Sequence, residues 1–250
     1  MLKRISQNFV SKLKIVFYNS RRCSSMTTID DREIKHFQQE SYHWWDDEEQ
    51  TPLYTMNALR IPFIRDGLIH TGIAKKEFSN TCLPLTNLKV LDVGCGGGYV
   101  SEALARLGCK VVGIDATKDL ITIAQERANK DKSLSSLTYM VSSIEEFSPR
   151  NLEAFDAVVA SEVIEHVNDQ NRFVSECVKC LKPEGTGTLQ KGTHDYNKFI
   201  GPHNLQRILE DYNCCTKIIH GMFYNVLTNK WSWISDTSIN YAMHAVKIAP

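Results

Sequence analysis

Val90-Leu91-Asp92-Val93-Gly94-Cys95-Gly96-Gly97-Gly98 is the stretch on which the fold turns. Apolar residues run into a glycine-dense turn, after which Tyr99–Leu107 keeps helical spacing until Gly108 stops it. Strand, tight turn and helix in that order let backbone approach a ligand closely, because glycine adopts left-handed φ and carries no Cβ. Outward from this turn, Lys110–Ile114, Thr138–Val141 and Ala154–Ala160 read as strands, Lys118–Asn129 as a helix and Lys130–Ser136 as a polar turn. The alternation predicts an α/β fold: a Rossmann-like, doubly wound, mostly parallel sheet with helices on both faces and an antiparallel C-terminal end. No internal repeat or low-complexity tract interrupts it.

Glycines alone fit either a dinucleotide pyrophosphate or the amino-acid and ribose portions of S-adenosylmethionine. Two features separate the ligands. The dinucleotide pattern counted from Gly94 needs glycine where Tyr99 stands. Asp92 would repel a pyrophosphate, whereas its carboxylate suits the ammonium group of a sulfonium cofactor. Asp115, about 20 residues beyond the loop at the end of the next strand, is placed to accept both ribose hydroxyls. Ser142 to Glu145 follow the third strand, on the side expected for adenine. The bland alternative makes the glycines a plain turn and Asp115 a helix cap.

After the strand ending at Ala160 comes Ser161-Glu162-Val163-Ile164-Glu165-His166-Val167. Strand carboxyl ends gather ligands in open parallel sheets, and if this segment turns helical, Glu162, Glu165 and His166 share one side. Histidine suits removal of a hydroxyl proton; two carboxylates with a histidine suit a divalent cation such as Mg2+, which polarises adjacent hydroxyls. An ordinary acidic helix start with a capping histidine is the competing reading.

Lysine plus arginine equals aspartate plus glutamate at 29 each, so no global field favours nucleic acid. The charge is nonetheless uneven: Lys3, Arg4, Lys12, Lys14, Arg21 and Arg22 all precede the first acid, Asp30. With Leu2, Ile5, Phe9, Leu13, Val16 and Phe17 at helical spacing, residues 1–29 have the composition of a mitochondrial presequence. A disordered basic tail is the alternative. Residues 30–88 read as an N-terminal helical lid and linker, helical over Asp30–His70 with a loop at Glu77–Lys89, and 89–250 as the catalytic core. No stretch approaches a membrane span. Eight cysteines give one C-x-x-C, Cys177 to Cys180, inside a helical pattern with no second pair at zinc-finger spacing, so reduced thiols are expected. Trp231 and Trp233 alternate on one strand face as packing residues, and Ser232 and Ile234 face the other way.

Several blocks together resemble the ubiquinone-biosynthesis O-methyltransferase family, a class I methyltransferase family, from about His36 to Lys247. They are Trp44-Trp45-Asp46, Asn57-Ala58-Leu59-Arg60, Leu91–Gly98, Glu162–His166, Lys191-Gly192-Thr193-His194-Asp195, Gly221–Asn225 and Asn240–His244. The resemblance implies S-adenosylmethionine contacts from Arg60, Gly94, Gly96, Asp115 and Ser161, with Arg60 pairing with the cofactor carboxylate. It implies catalytic roles for His166 and Glu165, and magnesium held by Glu162, Glu165 and His166. It further implies polyprenylated dihydroxybenzoate and demethylubiquinol substrates, peripheral association with the matrix side of the mitochondrial inner membrane, and membership of a multiprotein quinone-synthesis complex.

One departure stands out. In the family a sheet strand and then an apolar, membrane-associating helical segment separate the Leu-Lys-Pro turn from Lys-Gly-Thr-His-Asp, and here only Thr186–Gln190 intervenes. The chain is therefore expected to be a shortened form near 184–191, with neighbouring strands left unpaired. That motivates a rival reading as a catalytically silent assembly subunit. A methyltransferase for another small hydroxylated molecule and a nicotinamide oxidoreductase are the other rivals. His194 and Asp195 are either a second acid/base pair or part of a surface loop.

Overall fold

The computed structural model describes residues 27–41, 44–45, 52–191 and 200–248. The presequence up to residue 26, Asp46, and the His194–Asp195 pair lie outside the described residues. Eight strands form one sheet in the order β3-β2-β1-β4-β5-β8-β6-β7. β1 (Lys89–Val93), β2 (Lys110–Asp115), β3 (Leu137–Val141) and β4 (Phe155–Ser161) run parallel, with Leu91 beside Val112 and Val158. Covered on both faces, β1 is nearly all buried, which is why it reads as an apolar run broken only by Asp92 after its first residue. β8 (Asn240–Lys247) enters antiparallel, followed by β6 (Cys214–Asn225) and β7 (Lys230–Ile234).

Helices α1 (Asp31–Glu40), α2 (Pro52–Thr55) and α3 (Asn57–His70) precede the sheet. α3 joins α4 (Tyr99–Arg106) over a core of Ile64, Leu68, Val90, Leu104 and Val111. On the opposite face α7 (Gln170–Cys180) and α8 (Pro202–Asp211) cover Leu91, Ile114, Val158, Leu181 and Tyr241. α5 (Lys118–Asn129) follows β2, and the short α6 (Ile144–Phe147) follows β3 behind a Ser143/Glu146 capping box. Cys177 and Cys180 are buried in α7 as free thiols, and burial pushes the Cys180 thiol up to about 12.

Two sequence expectations are corrected here. The strand thought to be deficient is present: β5 (Leu181–Lys191) lies between β4 and β8 and pairs with both, through Ala157 to Ser161 on one side and Tyr241 to Val246 on the other. The excursion Lys182-Pro183-Glu184-Gly185 is absorbed as an irregularity in pairing between Phe155 and Ala157, with Glu184 at φ +66. No neighbouring strand is left open. The second concerns Ser161–Val167, which does not continue as a helix: Glu162 takes φ +57, and only Ile164–His166 forms a single 3-10 turn. Glu162, Glu165 and His166 consequently do not line one helical face.

Candidate active site

Gly94, Gly96 and Gly98 carry φ of +69, +53 and +99, which a side chain would strain. A Cβ on Gly94 would stand 2.6 Å from Val163, and one on Gly96 2.8 Å from the Trp44 ring, so the turn is closely covered as well as left-handed. Asp115, at the end of β2, accepts the Gly96 N–H at 2.9 Å through Oδ2 and the Thr117 N–H at 2.7 Å through Oδ1. It thus fixes the turn's shape while each oxygen keeps acceptor capacity toward a ligand. Burial raises its pKa. Asp92 is buried beside it, takes a 2.6 Å hydrogen bond from Ser101 Oγ, and is raised to about 6 by burial.

Arg60 reaches this place from α3. It is 4% exposed, and its guanidinium donates to Ser161 Oγ at 3.1 Å, to the Leu53 carbonyl at 2.8 Å and to Asn57 Oδ1. Burial lowers its pKa to about 10, against the pull of Glu162 and Asp92, so it stays a cation at neutral pH. Ser161 in turn donates to Gln190 Oε1 at 3.1 Å, which ties the end of β4 to β5.

The N-terminal lid closes the far side. Thr28 donates its N–H to Glu145 Oε1 at 3.2 Å, Ile29 bridges Val167, and Asn168 Nδ2 donates to the Ile29 carbonyl at 3.0 Å. Thr28 and Ile29, which the sequence assigns to the presequence, are therefore built into the folded domain. Asp30 caps α1 by accepting the Arg32 N–H, and α1 then lays Glu33 and Phe37 against His166. His166 Nδ1 is 3.0 Å from Glu33 Oε2, and the Phe37 ring meets the imidazole edge-on at 5.1 Å.

One cavity of about 160 Å³ joins these parts. Of the residues expected from sequence, Arg60, Gly94, Gly96, Asp115, Ser161, Glu162 and His166 line it, as do Ser142 to Glu145. Glu165 does not: it is buried at 2% exposure on the side of Tyr241, whose pKa its charge helps to raise. Among the described residues no group of three His, Cys, Asp or Glu side chains is placed to hold a metal. The expected Glu162–Glu165–His166 magnesium triad is therefore not assembled, with His166 engaged by Glu33 and Glu165 turned away. Sequence reading missed Thr28, Ile29, Glu33, Phe37 and Trp44 as walls. Only the amphipathic pattern of α1 hinted at Phe37; the others reach the cavity through contacts distant in sequence.

The sheet order, the left-handed glycine turn and the paired acids at the ends of β1 and β2 define an S-adenosylmethionine-dependent methyltransferase of the class I fold. A family model described as a methyltransferase domain matches residues 91–189. The chain is 39% identical to the rat mitochondrial ubiquinone biosynthesis O-methyltransferase over 98% of its own length and 77% of the relative's. It is 40% identical to the human protein of that name, over 90% of this chain and 67% of that one. The Pelagibacter ubique relative is 36% identical over 89% of this chain and 100% of its own. Among solved structures, magnesium protoporphyrin IX methyltransferase from Synechocystis, with bound S-adenosylhomocysteine, superposes with a TM-score of 0.62 at 16% identity, over 87% of this chain and 100% of that one, a likeness of fold. The chain belongs to the ubiquinone biosynthesis O-methyltransferase family.

Proposed function

We propose that this chain transfers the methyl group of S-adenosylmethionine to ring hydroxyls in ubiquinone biosynthesis, on 3,4-dihydroxy-5-polyprenylbenzoate and demethylubiquinol. The observation that carries the proposal is a cavity lined together by Asp92, Asp115, Arg60 and His166. The acids suit the ammonium and ribose of the cofactor, and Arg60 its carboxylate. Methyl transfer is a direct displacement, so the chain's contribution is alignment of the acceptor oxygen and removal of its proton. Glu33 at 3.0 Å favours a proton on Nδ1 of His166, which leaves the lone pair on Nε2 as the base.

Magnesium at Glu162, Glu165 and His166 remains an implication of the resemblance. Glu165 faces away from the cavity, so these residues as arranged do not fit the ion and the proton transfer described runs through His166 and Glu33. The names of the mammalian relatives support a mitochondrial location. No helix among the described residues is long and apolar enough to cross a membrane. A peripheral contact with the matrix face of the inner membrane is supported by the end of β6 and the turn after it, where Phe223, Val226 and Leu227 are exposed at 49%, 77% and 97%. Membership of a multiprotein quinone-synthesis complex rests on the family resemblance. The assembly-subunit reading loses its motive, because β5 is in place.

Labelled methyl from S-adenosylmethionine is expected to appear on the ring oxygen of a prenylated catechol incubated with the purified chain. Transfer to unrelated acceptors alone, or no thermal stabilisation by S-adenosylhomocysteine, would overturn the proposal.

A further inference from the structure

Gln190 stands near the end of β5, opposite Ser161 in the register of the sheet, and is 3% exposed. Its surroundings are apolar: the amide nitrogen lies against the sulfurs of Met56 and Met222, which with Ala242 form a small core of their own. An amide buried in such a place is costly unless its hydrogen bonds are met, and a thioether is a weak acceptor. Among the described residues the one side-chain bond it makes to oxygen is with Ser161, whose Oγ–H donates to Gln190 Oε1 at 3.1 Å.

That bond is not needed to join the strands. The backbone already does so at this level, where the Glu162 N–H donates to the Gln190 carbonyl at 3.0 Å. What the side chain adds is direction. A thioether has no proton to give, so the NH2 end of the amide faces the two methionines and the oxygen is left for Ser161. A free hydroxyl rotates, and a proton swung toward a guanidinium would set donor against donor. Held by Gln190, the Ser161 proton points away, and a lone pair is fixed toward Arg60, whose Nη1 donates to Ser161 Oγ at 3.1 Å. The guanidinium is steered on its other sides by Asn57 and the Leu53 carbonyl, within the field of Glu162 and Asp92. Arg60 and Ser161 line the cavity, and Gln190 stands one residue behind them.

We propose that Gln190 is a positioning residue for the amino-acid end of S-adenosylmethionine: it orients the Ser161 hydroxyl and, through it, the Arg60 guanidinium that pairs with the cofactor carboxylate. This rests on the cofactor reading above. The relay runs from two methionine sulfurs to an amide, from the amide to a hydroxyl, and from the hydroxyl to the cation in the wall of the cavity.

Gln190→Met keeps an unbranched side chain of similar length among the methionines and removes the acceptor. Calorimetric titration is expected to show about fivefold weaker binding of S-adenosylhomocysteine to this variant, with affinity for 5′-methylthioadenosine, which has no amino-acid end, unchanged. In a Ser161→Ala background the same exchange is expected to cause no further loss, because Gln190 acts through that hydroxyl. Wild type labelled with 15N-glutamine gives a check that needs no variant to fold. The Gln190 side-chain amide resonances move with S-adenosylhomocysteine and stay in place with 5′-methylthioadenosine. Equal losses for both ligands, no loss for S-adenosylhomocysteine, the same loss repeated in the Ser161→Ala background, or amide resonances indifferent to S-adenosylhomocysteine overturns the role of Gln190 alone. Wild type that binds neither ligand overturns the cofactor reading as well.

Discussion

The parallel and antiparallel halves of the sheet bury ionisable groups in opposite ways. At the end of β1, Asp92 is buried near the Arg60 cation, and it lines a cavity together with Asp115, half-buried at the end of β2. In the antiparallel half, His244 of β8 is fully buried against Gly67 of α3, where a Cβ would stand 2.7 Å from its ring, and it meets Thr188 Oγ1 at 2.9 Å. Burial pushes His244 down to about 4, so it is neutral. Charge retained under burial marks the half built around a charged ligand. Charge given up under burial marks the half that is scaffold.

Four measurements sharpen or break that contrast. Asp115→Ala in the first half is expected to weaken S-adenosylhomocysteine binding about 100-fold, the loss of charge-assisted hydrogen bonds to the ribose, with a titration as the check; a change under threefold would remove Asp115 from the site. Next comes acid titration of stability by urea unfolding. Asp92 binds its proton more readily folded than unfolded, so between pH 3.8 and about 6 its contribution falls as pH rises. His244 has the opposite sign: the unfolded chain takes up the proton first, so its contribution is lost as pH falls from 6.5 toward about 4. Each effect is about 3 kcal/mol, and in wild type they oppose one another. Asp92→Asn is therefore expected to lose about 3 kcal/mol more than wild type between pH 6.5 and 4, and His244→Gln to lose correspondingly less.

Smaller effects test the scaffold alone. Gly67→Val is expected to cost about 2 kcal/mol through overpacking against His244, seen as a lower denaturation midpoint, with S-adenosylhomocysteine affinity of the folded protein unchanged. Trp231 donates Nε1–H to the Pro52 carbonyl at 2.9 Å and so ties β7 to α2. Trp231→Phe should cost about 1 kcal/mol by the same assay, again with affinity unchanged. Weakened cofactor binding in either variant would erase the division between the halves.

The first half was legible in the sequence because its signals are local. Strand, glycine turn and helix follow one another within Val90–Arg106, and Asp115 ends the next strand, so periodicity and turn chemistry locate both. The Ser161–Val167 segment defeated the same logic: spacing of acids suggests a helix, but Glu162 adopts a left-handed backbone as the chain leaves β4, which sends Glu165 toward Tyr241. The expectation for β5 failed because Thr186–Gln190 reads as too short to fill the sheet, whereas those residues alone pair with β4 from Ala157 to Ser161 and with β8 on the other side. Trp44, Thr28 and Glu33 were out of reach for another reason. Their neighbours in space are Gly96, Glu145 and His166, and nothing in a local window encodes a partner so far along the chain. The alternation of Trp231 and Trp233 on one strand face, being local, was read correctly: Trp233 packs on Phe63 at 5.4 Å and Trp231 reaches Pro52.

The joint made by Thr28 and Ile29 with Glu145, Val167 and Asn168 sets a boundary for truncation from the N-terminal side. A protease that trims the chain ahead of Thr27 leaves the rim of the cavity whole. Loss of the chain through Ile29 would remove the contacts of Thr28 with Glu145 and of Ile29 with Val167 and Asn168 that seat the start of α1, the helix from which Glu33 reaches the imidazole. How far the N-terminal end can be shortened is thus dictated by the folded domain itself.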